Sequence, residues 1–196
     1  MKGPVATHAS LLIRLQDEGD SAAWREFDDR YSELIRSFAR RRDLQPADCE
    51  DVAQDVMLSL SKVMPGFQYD PSKGKFRSYL KTATLRAIFR ISHQRHGEAA
   101  LGTIEEATRI AEADAAVEEA WELEWQRYHL RQAMRTLESE FNETDRKAFQ
   151  RYGIDGRDAK ETAAELNISV NQVYYAKSQI LQRLKKVIER QVREEG

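Results

Sequence analysis

The chain has 196 residues, of which 41% are hydrophobic and 33% charged, with only 9 Gly and 4 Pro; that is too apolar for full disorder and too rich in charge for a membrane protein. No apolar run approaches the roughly 20 residues that span a bilayer, the N-terminus Met1-Lys2-Gly3-Pro4 lacks the apolar core of a signal peptide, and the single Cys49 excludes an internal disulfide framework or a Cys-rich zinc site. The net charge of -2 conceals a segregation: residues 1–96 carry 16 Lys and Arg against 13 acids, 97–126 carry 1 against 9, and 127–196 carry 14 against 11. The expectation is a soluble, cytoplasmic chain with two mildly basic bodies flanking an acidic connector.

Helical periodicity dominates, and no stretch alternates as a strand does. Leu11, Leu12 and Leu15 predict a short first helix ending near Gly19. From about Ser21, the residues Trp24, Phe27, Tyr31, Leu34 or Ile35, and Phe38 recur at three- and four-residue steps and give one apolar stripe, followed by Arg40-Arg41-Arg42. Pro46 suits a first helical turn, with Asp48, Glu50 and Asp51 near the positive end of that helix and Val52, Val56 and Leu60 on its inner face. Met64-Pro65-Gly66 breaks the pattern, and Tyr69 to Gly74 is turn-rich. A further helix is expected over about 75–93, with Leu80, Ala83, Ala87 and Ile91 on its core side. Gly97 marks a domain edge, and 98–118 lacks a continuous apolar stripe, as a helical or partly ordered linker would. Trp121, Trp125 and Tyr128 share a helical face and are expected in a core.

The last 60 residues hold the most specific pattern. A helix around 144–152 stops at Gly153. Asp158-Ala-Lys-Glu161 is a capping box that opens a short helix through Leu166, with small Ala163 where two helix axes must approach closely. Asn167 can take the left-handed conformation that ends this helix, and Ile168 faces the core. Ser169-Val-Asn-Gln172 is a second capping box, opening a long helix with Val173, Ile180, Leu184 and Val187 or Ile188 inward. Cap, short helix, tight turn, cap and long helix are the sequence of a helix-turn-helix.

The charges point to an anion. From Lys73 to Arg95 there are seven basic residues and no acid: Lys73, Lys75, Arg77, Lys81, Arg86, Arg90 and Arg95. Phe76, Tyr79 and Phe89 lie among them. Like charges at helical spacing repel, so an unbalanced run suits phosphates, and rings offer faces for unstacked bases; the alternative is a solvated face with the rings in the core. In the last helix Asn171, Gln172, Tyr174 and Tyr175 precede Lys177, Arg183, Lys185, Lys186, Arg190 and Arg193. Asn and Gln can read adenine in the major groove, while the cations behind engage phosphates. By contrast, Asp48 to Asp55 carries acids on the face away from Val52 and Val56, which suits an arginine-rich protein partner and repels DNA.

At these residues the sequence resembles the extracytoplasmic-function (ECF) sigma factors, small two-domain specificity subunits of bacterial RNA polymerase. Asp48 to Leu60 is similar to the family's region that docks on core polymerase, and Phe76-Arg-Ser-Tyr-Leu80 to its Phe-Arg-x-Trp-Leu signature, with Tyr79 in place of Trp. Asp158 to Leu184 resembles its promoter-reading helix-turn-helix. Arg86 and Arg90 depart from the family's common Asn and Asp, Thr162 from an aliphatic residue, and Lys160 from an acid. The resemblance implies an all-α protein of two small helical domains, 8–96 and 127–196, joined by an acidic linker over 97–126. It implies core-polymerase contacts at Asp51, Gln54, Asp55, Leu58 and Ser59. Minus-ten DNA falls to Lys73, Lys75, Phe76, Arg77, Tyr79, Lys81, Arg86 and Arg90, and minus-thirty-five DNA to Ser169, Asn171, Gln172, Tyr174, Tyr175, Lys177, Ser178 and Arg183.

Such a chain is a monomer when free, with core RNA polymerase and promoter DNA as partners; it needs no catalytic residue, cofactor or metal, and whether an anti-sigma factor binds it stays open. The rival expectation is a stand-alone helix-turn-helix regulator, which leaves the basic 73–95 helix without a role. A nuclease using Asp51 and Asp55 lacks supporting ligands, and His93 with His96 lacks a third. Two roles for the acidic linker stay open: passage through the polymerase as a nucleic-acid mimic, or folding over the basic helices of the free chain.

Overall fold

The computed structural model describes residues 8–17, 19–67, 76–96 and 103–195, leaving aside the side chains of His8, Ala9 and His96. Among these, helix is the only regular structure, and contacts divide the chain into a first unit, which runs to Tyr128 and takes in Glu194 and Glu195 at the end of the chain, and a second, His129–Arg193. The expected turn over 69–74, Gly97, Lys73 and Lys75 lie outside the described residues.

The first unit is built from α1 (His8–Arg14), α2 (Ser21–Arg40), α3 (Pro46–Val63), a 3-10 turn (Met64–Gly66), α4 (Phe76–His96), α5 (Ile104–Ala113) and the first half of α6 (Ala115–Glu140). α1 stops at Arg14, short of Gly19, because Arg14 turns to grip Asp20 at 2.9 Å and Glu26 at 2.9 Å. Asp20 in turn caps α2 by accepting from the Ala23 amide at 2.9 Å. The Arg14 hydrogen bond holds the Asp20 carboxyl below the usual carboxylate range. The predicted stripe of α2 is the core: Phe27, Tyr31, Leu34, Ile35 and Phe38 are all buried, with Trp24 at its margin. α3 starts at Pro46 and buries Val52, Val56 and Leu60 as expected.

α4 turns the expected Leu80, Ala83, Ala87 and Ile91 toward the core, but its buried arc is wider than they mark. Phe76, Leu80, Thr84, Leu85, Ala87 and Ile88 are buried, while Ala83 and Ile91 are partly covered. The wider buried arc reflects neighbours on several sides, since α2, α3 and α5 all pack against α4. Thr84 tolerates burial because its hydroxyl donates to the Leu80 carbonyl at 2.8 Å.

The segment expected as a linker is helical and packed from Thr103 onward. Thr103 caps α5 by accepting from the Glu106 amide, and Thr108, Ala111 and Val117 are buried. Trp121 and Tyr128 are fully buried and Trp125 nearly so, as expected of core residues. The Trp121 ring meets Phe38 edge-on at 5.0 Å, and Tyr128 stacks on Tyr31 at 5.1 Å. No continuous stripe marked this segment because its inward positions are small, polar or aromatic in turn.

In the second unit, α6 supplies Ala133 and Leu137 to a core shared with Phe149, Ile180, Leu184 and Val187. Asn142 caps α7 (Glu143–Ala148), which runs on into a π-helical turn, Phe149–Ile154. Gly153 lies inside that turn rather than after a helix; a Cβ there would come within 2.8 Å of the Phe149 ring. α8 (Ala159–Leu166) and α9 (Val170–Glu195) follow, with Ala159, Ala163 and Val173 buried between them.

Thr162 is fully buried on α8, and its hydroxyl has no hydrogen-bond partner among the described residues. An unpaired buried hydroxyl costs on the order of 1–3 kcal/mol. Thr162→Val, which keeps the volume, should therefore stabilise the chain by about 1 kcal/mol. Urea or thermal unfolding of the full chain checks this; an unchanged or lowered midpoint contradicts it.

Candidate nucleic-acid and partner interfaces

The outer face of α3 carries Asp51, Gln54 and Leu58, all exposed, with Leu58 61% accessible and Ser59 at the margin. Spacings of three and four residues place them in one stripe opposite Val52, Val56 and Leu60. An exposed leucine beside a carboxylate and a carboxamide is suited to a protein partner that is part apolar and part basic. Asp55, expected in the same stripe, stands differently. It is half-buried, and its two oxygens accept from Arg90 at 2.6 and 2.5 Å. Asp48 is buried rather than displayed, and is ion-paired with Arg95. Both pairs arise because α3 packs against α4, so the acids fringing one helix meet the cations fringing the other. A reading of each helix by itself does not see this.

The expected minus-ten set divides in the same way. Phe76 is buried, edge-on to Phe27 at 6.1 Å, and belongs to the core rather than to a stacking surface. Tyr79 keeps a partly open ring packed on Phe67 at 5.5 Å, and burial pushes its hydroxyl pKa up. Phe89 is partly buried against the core.

Arg77 bonds to Glu118 at 3.0 Å and Glu122 at 2.6 Å, and its guanidinium carbon lies 5.8 Å from the centre of the Trp125 ring. Lys81 is ion-paired with Glu118. Arg86 is exposed and holds no ion pair among the described residues. Thus Arg77, Lys81, Arg90 and Arg95 are already neutralised within the unit, and Arg86 has no ion-pair partner among the described residues.

The second unit carries the α8–turn–α9 pattern in the expected form. Asp158 accepts from the amides of Lys160 at 2.7 Å and Glu161 at 3.2 Å, which hold its carboxyl below the usual range. Asn167 is left-handed at φ 53° and ψ 47°. Asp and Asn are tolerated in that region where bulkier residues are not. Ser169 and Gln172 cap α9 reciprocally: the Gln172 amide donates to the Ser169 hydroxyl at 3.2 Å, and the Gln172 carboxamide oxygen accepts from the Ser169 amide at 2.8 Å.

The side chains expected on minus-thirty-five DNA are mostly exposed: Asn171, Tyr174, Tyr175 and Ser178 face solvent. Gln172 is exposed but spends its acceptor on the cap. Lys177 lies over the Tyr152 ring, 4.5 Å from its centre. Arg183 donates to both oxygens of Glu140 at 2.5 Å, and this bond holds the Glu140 carboxyl down and the guanidinium up. Lys177 and Arg183 are therefore oriented by neighbours in their own unit.

Residues 27–96 match the family model for sigma-70 region 2. The stretch is similar to sigma-70 region 2. It takes in most of α2 and all of α3 and α4. The match supports a sigma-70 family member with a role in transcription initiation, a role in which sigma factors bind core RNA polymerase and promoter DNA. A comparison with curated proteins found no match for the chain. No helix among the described residues is long and apolar enough to cross a membrane, and none of their His, Cys, Asp and Glu side chains form a group of three that could hold a metal. Cys49 is buried, and that burial raises its thiol pKa.

Sequence reasoning missed Glu118, Glu122 and Glu124. Glu124 is buried between Arg41 at 2.5 Å and Arg127 at 2.8 Å. Glu118 and Glu122 precede Trp121 and Trp125 by three residues each, so the ring spacing already placed these acids on the docked side of α6. For the second unit, the cap geometry predicts that Gln172→Ala lowers stability by about 1 kcal/mol, whereas Asn171→Ala leaves it within error. Denaturant unfolding of both variants measures this; equal stabilities would contradict the structural role given to Gln172.

Proposed function

We propose that the chain acts as a dissociable, promoter-specific sigma subunit of the ECF type. In this reading 8–96 binds core polymerase and the minus-ten element, and 127–196 reads the minus-thirty-five element through α8 and α9. The observation that carries the reading is the region 2 match on a unit whose α3 shows an exposed Asp51–Gln54–Leu58 stripe away from α4, where Arg86 stays exposed. One face suits a protein partner, and the other a nucleic acid. Capped α8, the left-handed Asn167 and capped α9 with outward Asn171, Tyr174 and Tyr175 support a major-groove reader in the second unit.

The chain's own side chains then have distinct roles. Leu58 and its polar neighbours dock on the larger enzyme. Arg86, with Lys73 and Lys75, meets the phosphate backbone, and Tyr79 offers its partly open ring to an unstacked base. Asn171 is the side chain best placed to choose bases, since Gln172 is committed to its cap. Lys177 and Arg183, held by Tyr152 and Glu140, would set register on phosphates rather than sequence. Nucleotide addition belongs to the polymerase.

Run-off transcription with core polymerase on a library of genomic fragments tests the reading, with the purified chain expected to start RNA synthesis at a defined set of sites. Leu58→Asp alters an exposed residue, so it should leave the fold intact while lowering affinity for core polymerase at least about tenfold, which is about 1.4 kcal/mol. A chain that neither binds core polymerase nor starts transcription on any fragment overturns the proposal.

A further inference from the structure

α4 faces acids along its N-terminal half as well as on the α3 side. Arg77 and Lys81 are four residues apart and therefore on one face, and α6 brings Glu118 and Glu122, also four apart, against them. Arg77 is held by both carboxylates and by the Trp125 ring; Lys81 takes the second oxygen of Glu118. α5 adds Glu112, which accepts from the Thr82 hydroxyl. The two cations are only 20% and 13% accessible at their side chains, while Glu118 and Glu122 are 50% and 43% accessible. The acids thus form the outer layer, with the cations beneath.

These carboxylates are not on a loose tether. Val117, Trp121 and Tyr128 are buried in the same unit, so the backbone that carries Glu118 and Glu122 is fixed by the core. Their oxygens occupy the guanidinium and ammonium donors that a phosphate would otherwise take, and carboxylate and phosphate compete for the same planar or point-charge geometry. Ion pairs this exposed are weak enough to exchange, yet the acids stay in place after the exchange and repel a second phosphate.

We propose that the acidic front of α5 and α6 is a built-in competitor for nucleic acid on α4. It holds Arg77 and Lys81 in the free chain, so that α4 grips DNA only when contacts made by the polymerase complex outweigh it. The inference rests on α4 being the nucleic-acid face of the proposed function. It selects the masking role of the acidic segment over a passage role for these particular carboxylates.

The test uses the full chain and a labelled single-stranded oligodeoxynucleotide, titrated at several salt concentrations with and without core polymerase. Glu118→Gln with Glu122→Gln should bind the oligonucleotide about tenfold tighter than the parent at low salt. Two freed cations should also steepen the dependence of log K on log salt by about 1.4. Adding Arg77→Ala and Lys81→Ala to that variant should abolish the gain. If parent and variant bind alike with equal salt slopes while both still start transcription with core polymerase, the inference fails and the proposed function stands. A variant that gains affinity in a chain that never starts transcription supports the mask and counts against the function.

Discussion

The first unit depends on an aromatic seam that joins α2, α4 and α6. Tyr31 contacts Phe27, Phe76 and Tyr128, while Phe38 meets Trp121. Each buried ring removes at least about 150 Å² from water, worth roughly 4 kcal/mol at about 25 cal/mol per Å². The exposed ion pairs around the seam contribute about 0–1 kcal/mol each. The rings therefore decide where α6 lies, and the charges follow. That ordering explains why Glu118 and Glu122 sit over Arg77 and Lys81: they ride on the helix that carries Trp121 and Trp125. Glu124, buried between Arg41 and Arg127, adds an anchor at the far end of α2.

One consequence is that the folded unit is larger than the part recognised as region 2. The match ends at residue 96, whereas the core continues through Tyr128. A second consequence concerns charge. α4 was notable for carrying cations without acids, but the acids come from its neighbours, with Asp55 and Asp48 from α3 on one side and Glu118 and Glu122 from α6 on the other. A helix that looks strongly basic in sequence is close to neutral along much of its described surface. Arg86 is the exception, in the middle of the helix and beside Tyr79. Binding of an anion through such a face gains from added contacts elsewhere.

What the sequence made legible was whatever depends on neighbours in the chain. The stripe of α2, the Pro46 start of α3, the Asp158 cap of α8, the Ser169–Gln172 capping box of α9 and the left-handed Asn167 are all local patterns, and each stands where periodicity and cap chemistry put it; of the expected Asp158–Glu161 box the structure shows the Asp158 half. The core role of Trp121, Trp125 and Tyr128 was legible for the same reason. Features set by packing between helices were not. Phe76 could be either a stacking ring or a core ring on spacing alone, and the proximity of Phe27 and Tyr31 decided for the core. Asp55 with Arg90 is separated by 35 residues, and Arg77 with Glu118 by 41, so no local count pairs them. The order of 103–128 was hidden because its buried positions include Thr108 and Ala111, which an apolar stripe does not count.

The central claim is that α6 up to Tyr128 is part of the first folded unit rather than a connector leaving it. Native-state hydrogen exchange of the full chain tests this most directly. The account predicts that the amides of residues 117–128 are protected to the same free energy as those of α2 and α4, and that they open in one cooperative step with them. Rapid exchange of 117–128 while α2 to α4 stay protected would contradict it.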